Sequence, residues 1–425
     1  MANRITFHAS RFALCVLLLA LFLMPHDIVR AQGITVTSVS MDYTFAQGMT
    51  LRIAARSDAD IKSAKVYVRA RNAPSIEVTG VFTPGKTVEV VCVQQLVGGV
   101  LPPFSTVMYW WELADAAGRK LTTPPQSAEY LDNRFMWQDQ SEENLRAHWY
   151  MGDPTYVRNA VDVARAALSR SNQELQAPLP SRVDIYLYAM LEDLQSAIEL
   201  GGREWQGGQA RPDLGVVLVA IPPGQGALAQ MKRDIPHELT HLLVFQATGA
   251  GYARVPRWLD EGLASANEEL AQPAYQLALE AAFRNGQLIP LETLCAPFSA
   301  DAGVAQLSYA QSQSVVQSIR NNYPDGVRKL LGAYAGGATC GGGVEQALGV
   351  TLGTLEWKWR ATLGPRNAWQ TMAGSVGGWI LLAMAVSLAL LPFAFVRRKG
   401  PGSRGVGEPR GRGAEEWTIG RSKKN

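Results

Sequence analysis

Two apolar runs without charged residues lie near the ends of this chain and limit where a globular fold can form. Residues 12–25 follow Arg4 and Arg11, and Val29-Arg30-Ala31 then fits a small-residue cleavage site before Gln32, a pattern typical of a secretory signal peptide. Residues 372–396 form a second run of 25 residues, enough for a helix across a hydrocarbon core of about 30 Å. We therefore expect the globular part to lie between a signal peptide and one transmembrane helix.

The charges beside the second run predict the orientation of the chain. Arg397, Arg398 and Lys399 follow it at once, and positive residues beside a membrane span stay on the cytoplasmic side. The sequence therefore predicts a single-pass protein of the cell membrane, with its N-terminal domains outside the cytoplasm and residues 397–425 as a basic cytoplasmic tail. Binding of this tail to nucleic acid or anionic lipid is the alternative, but a role in orientation suffices, so no nucleic-acid partner is expected.

The charge balance differs between these parts. The whole chain has 40 Lys and Arg against 37 Asp and Glu, a formal charge of +3. The tail contributes +6 and residues 1–31 contribute +2, so the part between tail and signal carries −5. An apolar content of 47% with 18% charged residues excludes a disordered chain. The four cysteines are too few for a disulfide scaffold, so burial of apolar surface must hold the fold.

The first hundred residues after the signal have the pattern of short strands. Leu51, Ile53 and Ala55 alternate with polar residues, later runs alternate in the same way, and turn signals such as Pro84-Gly85 separate them. This spacing is typical of an antiparallel β-sandwich, similar to immunoglobulin-like or fibronectin type III modules. After residue 135 the periodicity becomes mainly helical, with strands expected at 183–187 and 215–221. The overall prediction is an α+β protein with an all-β N-terminal domain.

One motif in the helical half points to chemistry. Residues 237–241 read HExxH, and on a helix His237 and His241 lie one turn apart on the same face, where both rings can bind one metal ion. Glu238 then lies beside them. The sequence predicts that this helix begins near Asp234 as its N-cap, because Pro236 is tolerated in a first turn.

A catalytic zinc usually has three protein ligands, so two histidines need a third. Glu261 lies 20 residues after His241, in the run DEGLA. The small residue Gly262 is expected to let its helix approach the HExxH helix closely. Glu268 and Glu269 are alternative ligands, but without a comparable sequence context we interpret them as solvated helix residues.

HExxH followed by DEGLA resembles the gluzincin zinc peptidases, and within them the bacterial peptidase MA-like families, over about residues 140–365. The resemblance implies a thermolysin-like zincin catalytic domain that binds one Zn²⁺ per chain. It implies that zinc activates a water molecule, that Glu238 is the general base, and that Tyr309 donates a hydrogen bond to the oxyanion. The implied zinc ligands are His237, His241 and Glu261.

The chain also departs from known gluzincins. Thermolysin-like enzymes have an Asp four residues after the zinc-binding Glu, whereas this chain has Ser265, so Asp260 or Ser265 is the alternative partner of a histidine. The Gly-x-Met-Glu-Asn strand that holds the free amine in aminopeptidase N-like enzymes is absent, which favours an endopeptidase. Residues 207–208 and the strand at 215–219 are expected to form the upper edge of the cleft.

Two cysteines in the second half of the chain suggest one disulfide crosslink. Cys295 and Cys340 both lie in the predicted catalytic half, in an oxidising environment if the orientation is right, and we expect a disulfide between them.

These observations give a hypothesis of function: a membrane-anchored extracytoplasmic zinc metallopeptidase acting on peptides or proteins. The alternative is a cell-surface binding protein that keeps the peptidase fold but has little turnover. The expected segments are the signal peptide (1–31), the β-sandwich (32–135), the metallopeptidase domain (136–366), a stalk (367–371), the transmembrane helix (372–396) and the tail (397–425).

Overall fold

The computed structural model describes residues 33–70, 73–96, 101–198, 207–270 and 272–364. The predicted signal peptide, stalk, transmembrane helix and cytoplasmic tail lie outside these ranges. Within them, no helix combines the length and the apolar character that crossing a bilayer requires.

The N-terminal part is an antiparallel sheet of seven strands. Every pair among them is antiparallel, as the alternating pattern predicts. The strands are β1 (Thr35–Thr44), β2 (Gly48–Ala70), β3 (Ile76–Thr79), β4 (Gly85–Gln95), β5 (Ser105–Asp115), β6 (Lys120–Thr122) and β7 (Gln126–Tyr130).

The long strand β2 joins two halves of this sheet. Its first half pairs with β1 and β4, and its second half pairs with β3 and β5. The register shifts between Arg56 and Ile61, where an irregularity bends the strand. The hydrogen-bonded sheet is therefore continuous through β2, because two strands that the alternating pattern predicts are the halves of this single 23-residue strand.

A second sheet carries the cleft. Its five strands lie in the order β11-β12-β10-β9-β8, with the three central strands parallel and both edge strands antiparallel. The strand expected at the edge of the cleft, at 215–219, is β12 and lies inside the sheet; the edge strand is β11. The strands are β8 (Gln138–Glu142), β9 (Leu145–Trp149), β10 (Val183–Tyr188), β11 (Gly208–Arg211) and β12 (Val216–Ala220).

Helices lie between and after the strands of this sheet and form the rest of the C-terminal part. Helices α1 and α3 pack against one face of the second sheet, and its other face joins the core of the first sheet through Tyr186, Tyr188 and Leu218. Both faces of β10 and β12 are thus buried. The helices are α1 (Pro154–Leu175), α2 (Leu191–Ile198), α3 (Ala227–Thr248), α4 (Arg257–Asn267), α5 (Pro273–Arg284), α6 (Ala302–Asn322), α7 (Gly326–Ala335), α8 (Cys340–Leu348) and α9 (Leu352–Leu363).

A disulfide joins two of the helical segments. Cys295 ends a short 3₁₀ turn before α6, and Cys340 begins α8. The structure links their sulfur atoms, with the Cα atoms 6.1 Å apart. The crosslink ties the segment after α5 to the end of the domain.

An ion pair between a fully buried carboxylate and a partly exposed arginine connects the two sheets. Asp132, which is fully buried, follows β7 and accepts hydrogen bonds from Arg134 Nη2 at 2.6 Å and from the Tyr188 hydroxyl of β10 at 2.9 Å. Arg134 also donates to Ser196 Oγ and to the carbonyl of Asp193 in α2. The Asp132–Arg134 pair, which lies in the linker between the two sheets, therefore contacts both the second sheet and α2.

We expect the substitution Arg134→Ala to destabilise the protein by roughly 3 kcal/mol, because the Asp132 carboxylate is then left buried without its cation. The control is Arg146→Ala, which removes an Arg–Asp pair whose side chains are 37% and 48% exposed and should cost less than about 1 kcal/mol. Urea unfolding of both variants measures the difference. Equal midpoints would show that the Asp132–Arg134 pair does not hold the two sheets together.

Candidate metal centre

The helix that carries HExxH is longer than the sequence predicts. Helix α3 begins at Ala227, so Asp234 is not its N-cap and Pro236 lies inside it. Proline has no amide hydrogen, which leaves the carbonyl four residues earlier without its helical donor. The carbonyl of Lys232 is in that position, and it accepts a hydrogen bond from the backbone amide of Glu269 at 2.9 Å. The carbonyl that Pro236 leaves free thus attaches the segment after α4 to α3.

Three atoms from two helices converge at one point. The Nε2 atoms of His237 and His241 lie 3.3 Å and 3.7 Å from Oε2 of Glu261, and the three candidate ligand atoms lie within 4.8 Å of one another. His237 and His241 occupy successive turns of α3, and Glu261 lies in α4. The structure therefore brings together the three residues that the sequence predicts as metal ligands.

Each histidine ring is held from behind by a carboxylate. Asp260 Oδ1 lies 2.9 Å from Nδ1 of His241, and Glu268 Oε1 lies 3.0 Å from Nδ1 of His237. An ionised carboxylate can only accept a hydrogen bond, so in the neutral form of each ring Nδ1 carries the hydrogen and Nε2 is left with a lone pair. Of the two alternatives predicted as a histidine partner, the structure selects Asp260. The interpretation of Glu268 as a solvated residue is wrong, because its side chain is only 2% exposed.

A guanidinium group holds the third ligand. Arg257 Nη2 lies 2.6 Å from Oε1 of Glu261, which leaves Oε2 of that carboxylate buried without a hydrogen bond. Burial alone would raise the pKa of Glu261, but His241, His237 and Arg257 together lower it. Glu261 therefore stays ionised.

These contacts leave a place for a cation. Two imidazole lone pairs and one carboxylate oxygen repel one another unless a proton or a metal ion lies between them. Ligands about 2.1 Å from a tetrahedral ion are about 3.4 Å apart, close to the 3.3 Å and 3.7 Å between the Nε2 atoms and Glu261 Oε2. The donor set and its spacing fit Zn²⁺.

Glu238 lies against the edge strand above the ligands. It is buried, and a Cβ atom added to Gly208 of β11 would lie only 2.6 Å from its Oε1. Burial raises the pKa of Glu238, while the two histidines oppose that shift. A carboxylate with a raised pKa takes up a proton more readily near neutral pH.

The expected role of Gly262 in this site needs correction. A Cβ atom at this position would lie 2.5 Å from the carbonyl oxygen of Ser312 in α6. Its small size therefore permits close packing of α4 on α6, rather than of α4 on the HExxH helix.

The cleft beside the ligands is a cavity of about 440 Å³. Tyr309 of α6 lines it, with its ring centroid 6.3 Å from that of His237. Phe298 and Tyr275 contact the Tyr309 ring, the first edge-on at 5.2 Å and the second stacked at 6.3 Å. The structure thus places Tyr309 beside the ligand cluster, on an aromatic wall of the cleft.

Two residues that organise the site, Arg257 and Tyr252, were not predicted from the sequence, and a third, Glu268, was wrongly assigned to solvent. Arg257 lies one helical turn before Glu261, and this spacing was a readable signal. Glu268 lies seven residues after Glu261, directly after the end of α4. Tyr252 precedes α4 in a 3₁₀ turn, and its hydroxyl donates to Asp260 Oδ2 at 3.0 Å. Nothing in the local sequence predicts this hydrogen bond.

The region that contains this cluster was compared with known families. Residues 163–364 match the family model described as the Peptidase MA superfamily. This match supports a zincin-like peptidase for that region. It spans both ligand helices and does not reach the N-terminal sheet.

No curated protein matches the chain. The following solved structures are distantly similar to this chain. The bromine derivative of BhCBM56 is 11% identical over 22% of this chain and 97% of its own, with a TM-score of 0.17. Inactive OgpA from Akkermansia muciniphila, bound to an O-glycopeptide, is 10% identical over 24% of this chain and 32% of its own, with a TM-score of 0.19. An aminopeptidase N family protein from Idiomarina loihiensis is 8% identical over 77% of this chain and 75% of its own, with a TM-score of 0.36.

Zinc should stabilise the purified protein strongly and in a pH-dependent way. Burial lowers the pKa values of His237 and His241, but carboxylates beside them raise both values overall when no metal is bound. Zinc must displace these protons, so its stabilising effect should shrink as the pH falls. At a zinc concentration 1,000 times the dissociation constant, the gain is about 4 kcal/mol.

Thermal unfolding with and without Zn²⁺, at pH 7.5 and 5.5, measures this effect. The variant His241→Ala should show no comparable shift at either pH. A shift of equal size in this variant would place the zinc elsewhere.

Proposed function

We propose that this chain is a zinc-dependent peptidase anchored in the membrane, with its active site outside the cytoplasm. The observation that carries the proposal is the arrangement around Glu261: two oriented imidazoles and a buried carboxylate share one point, and Glu238 lies beside it. The family match over residues 163–364 supports a peptidase. The membrane anchor rests on the uncharged run at 372–396 and the basic residues that follow it.

Each side chain of the site has a separate role in peptide hydrolysis. His237, His241 and Glu261 would hold Zn²⁺, which supplies Lewis acidity when bound. Glu238, with its raised pKa, takes the proton of the attacking water as general base and passes it to the leaving amine. Tyr309, on the cleft wall, donates a hydrogen bond to the oxygen that gains charge during the attack.

The edge strand offers a way to hold an extended substrate. Within the described residues β11 pairs with β12 on one side only, so its other side can form backbone hydrogen bonds with a peptide. Residues 207–212 line the cavity together with Glu238. The three candidate ligand residues line the same cavity, so a peptide added to this strand would lie beside them. Such binding uses the main chain along the substrate rather than a free terminus, which favours an endopeptidase.

The substitution Glu238→Gln tests the function most simply. We expect the variant to bind zinc as the wild type does, because Glu238 is not a ligand, and to lose cleavage by a factor of about 10²–10⁴. Metal content and cleavage of a peptide library, measured for both proteins, decide the result. Zinc binding with no cleavage by the wild type would favour a binding protein on a peptidase fold. Identical cleavage by both proteins would contradict the assigned role of Glu238.

A second substitution tests the position of Glu238. In Gly208→Ala the new methyl group lies 2.6 Å from Glu238 Oε1 and must displace it, and a shift of about 1 Å can cost roughly 10²-fold in rate. Gly207→Ala is the matched control, because nothing lies within 4 Å of its added Cβ. We expect kcat to fall in the first variant alone, with the zinc content of both unchanged. Equal kcat values would show that contact with the edge strand does not position the base.

A further inference from the structure

Two adjacent glutamates after α4 differ sharply in their surroundings. Glu268 and Glu269 are the same residue type one position apart, but their side chains are 2% and 32% exposed. Glu269 forms an ion pair with Lys232 at the protein surface, at 3.2 Å. Glu268 points inward, lines the cleft and contacts the first histidine of HExxH. An ionised side chain this deeply buried is costly unless it is paired and hydrogen-bonded.

Both oxygens of Glu268 are engaged. Oε1 lies 3.0 Å from His237 Nδ1, and Oε2 accepts a hydrogen bond from Gln272 Nε2 at 2.8 Å. Gln272 fixes the carboxylate on the side away from the histidine. The Glu268 carboxylate is therefore held in one orientation, in which Oε1 can accept a hydrogen bond from Nδ1 of His237.

The segment that carries Glu268 is attached to α3 at two points. The amide of Glu269 donates to the Lys232 carbonyl that Pro236 leaves without a helical donor, at 2.9 Å. The side chain of Asn267 donates to the Thr240 hydroxyl at 3.1 Å, and that hydroxyl donates to the carbonyl of Pro236 at 2.7 Å. These bonds enclose Glu268 between two anchored neighbours, opposite the turn of α3 that carries His237.

We propose that Glu268 is a positioning residue for metal binding: it holds His237 with the hydrogen on Nδ1 and the lone pair of Nε2 directed at the ligand cluster. The inference rests on the proposed zinc site. A carboxylate behind a ligating imidazole fixes its orientation and makes it a better donor, and loss of such a partner commonly weakens metal affinity 10- to 100-fold. Asp260 performs the corresponding task for His241.

A purely structural role for Glu268 would give a different result on substitution. If the side chain only helped to attach α4 to α3, its removal would lower the stability of the metal-free protein and leave zinc affinity unchanged. The anchors through Asn267 and the amide of Glu269 do not involve the Glu268 side chain. The metal-free fold should therefore survive the substitution, and the effect should be confined to metal binding.

The experiment compares matched substitutions at the two neighbouring glutamates in the full-length protein. Zinc dissociation constants are measured by competition with a chromophoric chelator for the wild type, Glu268→Ala, Glu268→Gln, Glu269→Ala and Glu269→Gln. We expect Glu268→Ala to bind zinc about 10 to 100 times more weakly. Glu268→Gln should lose less, because its amide oxygen can still accept from His237 Nδ1. The Glu269 variants should change by no more than about twofold, as expected for an exposed ion pair.

Two further readouts separate orientation from folding. The visible absorption of the Co²⁺-substituted protein should change in the Glu268 variants and stay as in the wild type for the Glu269 variants, because the bands report ligand geometry. Thermal unfolding without metal should be similar in all five proteins. If Glu268→Ala does not fold, Glu268→Gln decides the question alone.

Two outcomes overturn different statements. Wild-type protein that binds no zinc removes the proposed function and this inference with it. Wild-type protein that binds zinc while the Glu268 and Glu269 variants match in affinity and in Co²⁺ spectrum removes only the role of Glu268.

Discussion

The proposed metal centre depends on the carboxylates that face the Nδ1 atoms of its two histidines. Asp260 and Glu268 each face an Nδ1 atom, so both Nε2 lone pairs meet the buried oxygen of Glu261. Arg257 then takes the other oxygen of that carboxylate. These three contacts turn two lone pairs and one carboxylate oxygen toward one point, where a cation relieves their mutual repulsion. The sheets and helices of the C-terminal half serve to bring these groups, and Glu238 above them, to one place.

Proline in the middle of α3 is the least expected part of this arrangement. It costs the helix one hydrogen bond, and by local propensity alone it predicts a helix start. The freed carbonyl of Lys232 instead holds the amide of Glu269, so the defect becomes the attachment point for the segment that contains Glu268. The residue directly before the first ligand thereby helps to place the carboxylate that orients that ligand.

The sequence predicts the parts of this protein that follow from local pattern. Period-two alternation predicts the N-terminal strands, and spacings of four residues predict the pairing of His237 with His241 on one helix face. What it does not predict depends on tertiary contacts. Three features depend on partners far along the chain. They are the continuity of β2 across its register shift, the position of β12 inside its sheet, and the burial of Glu268 beside exposed Glu269. Propensity favours a helix start at Asp234, but the residues before it continue the helix and override that signal.

The central claim is that one zinc ion binds where these atoms converge. A crystal structure of the zinc-loaded protein with anomalous data at the zinc edge tests it most directly. The account predicts one anomalous peak bonded to Nε2 of His237, Nε2 of His241 and Glu261, with Asp260 and Glu268 still on the two Nδ1 atoms. A peak bonded through an Nδ1 atom or to Glu268, or a peak away from HExxH, would contradict it.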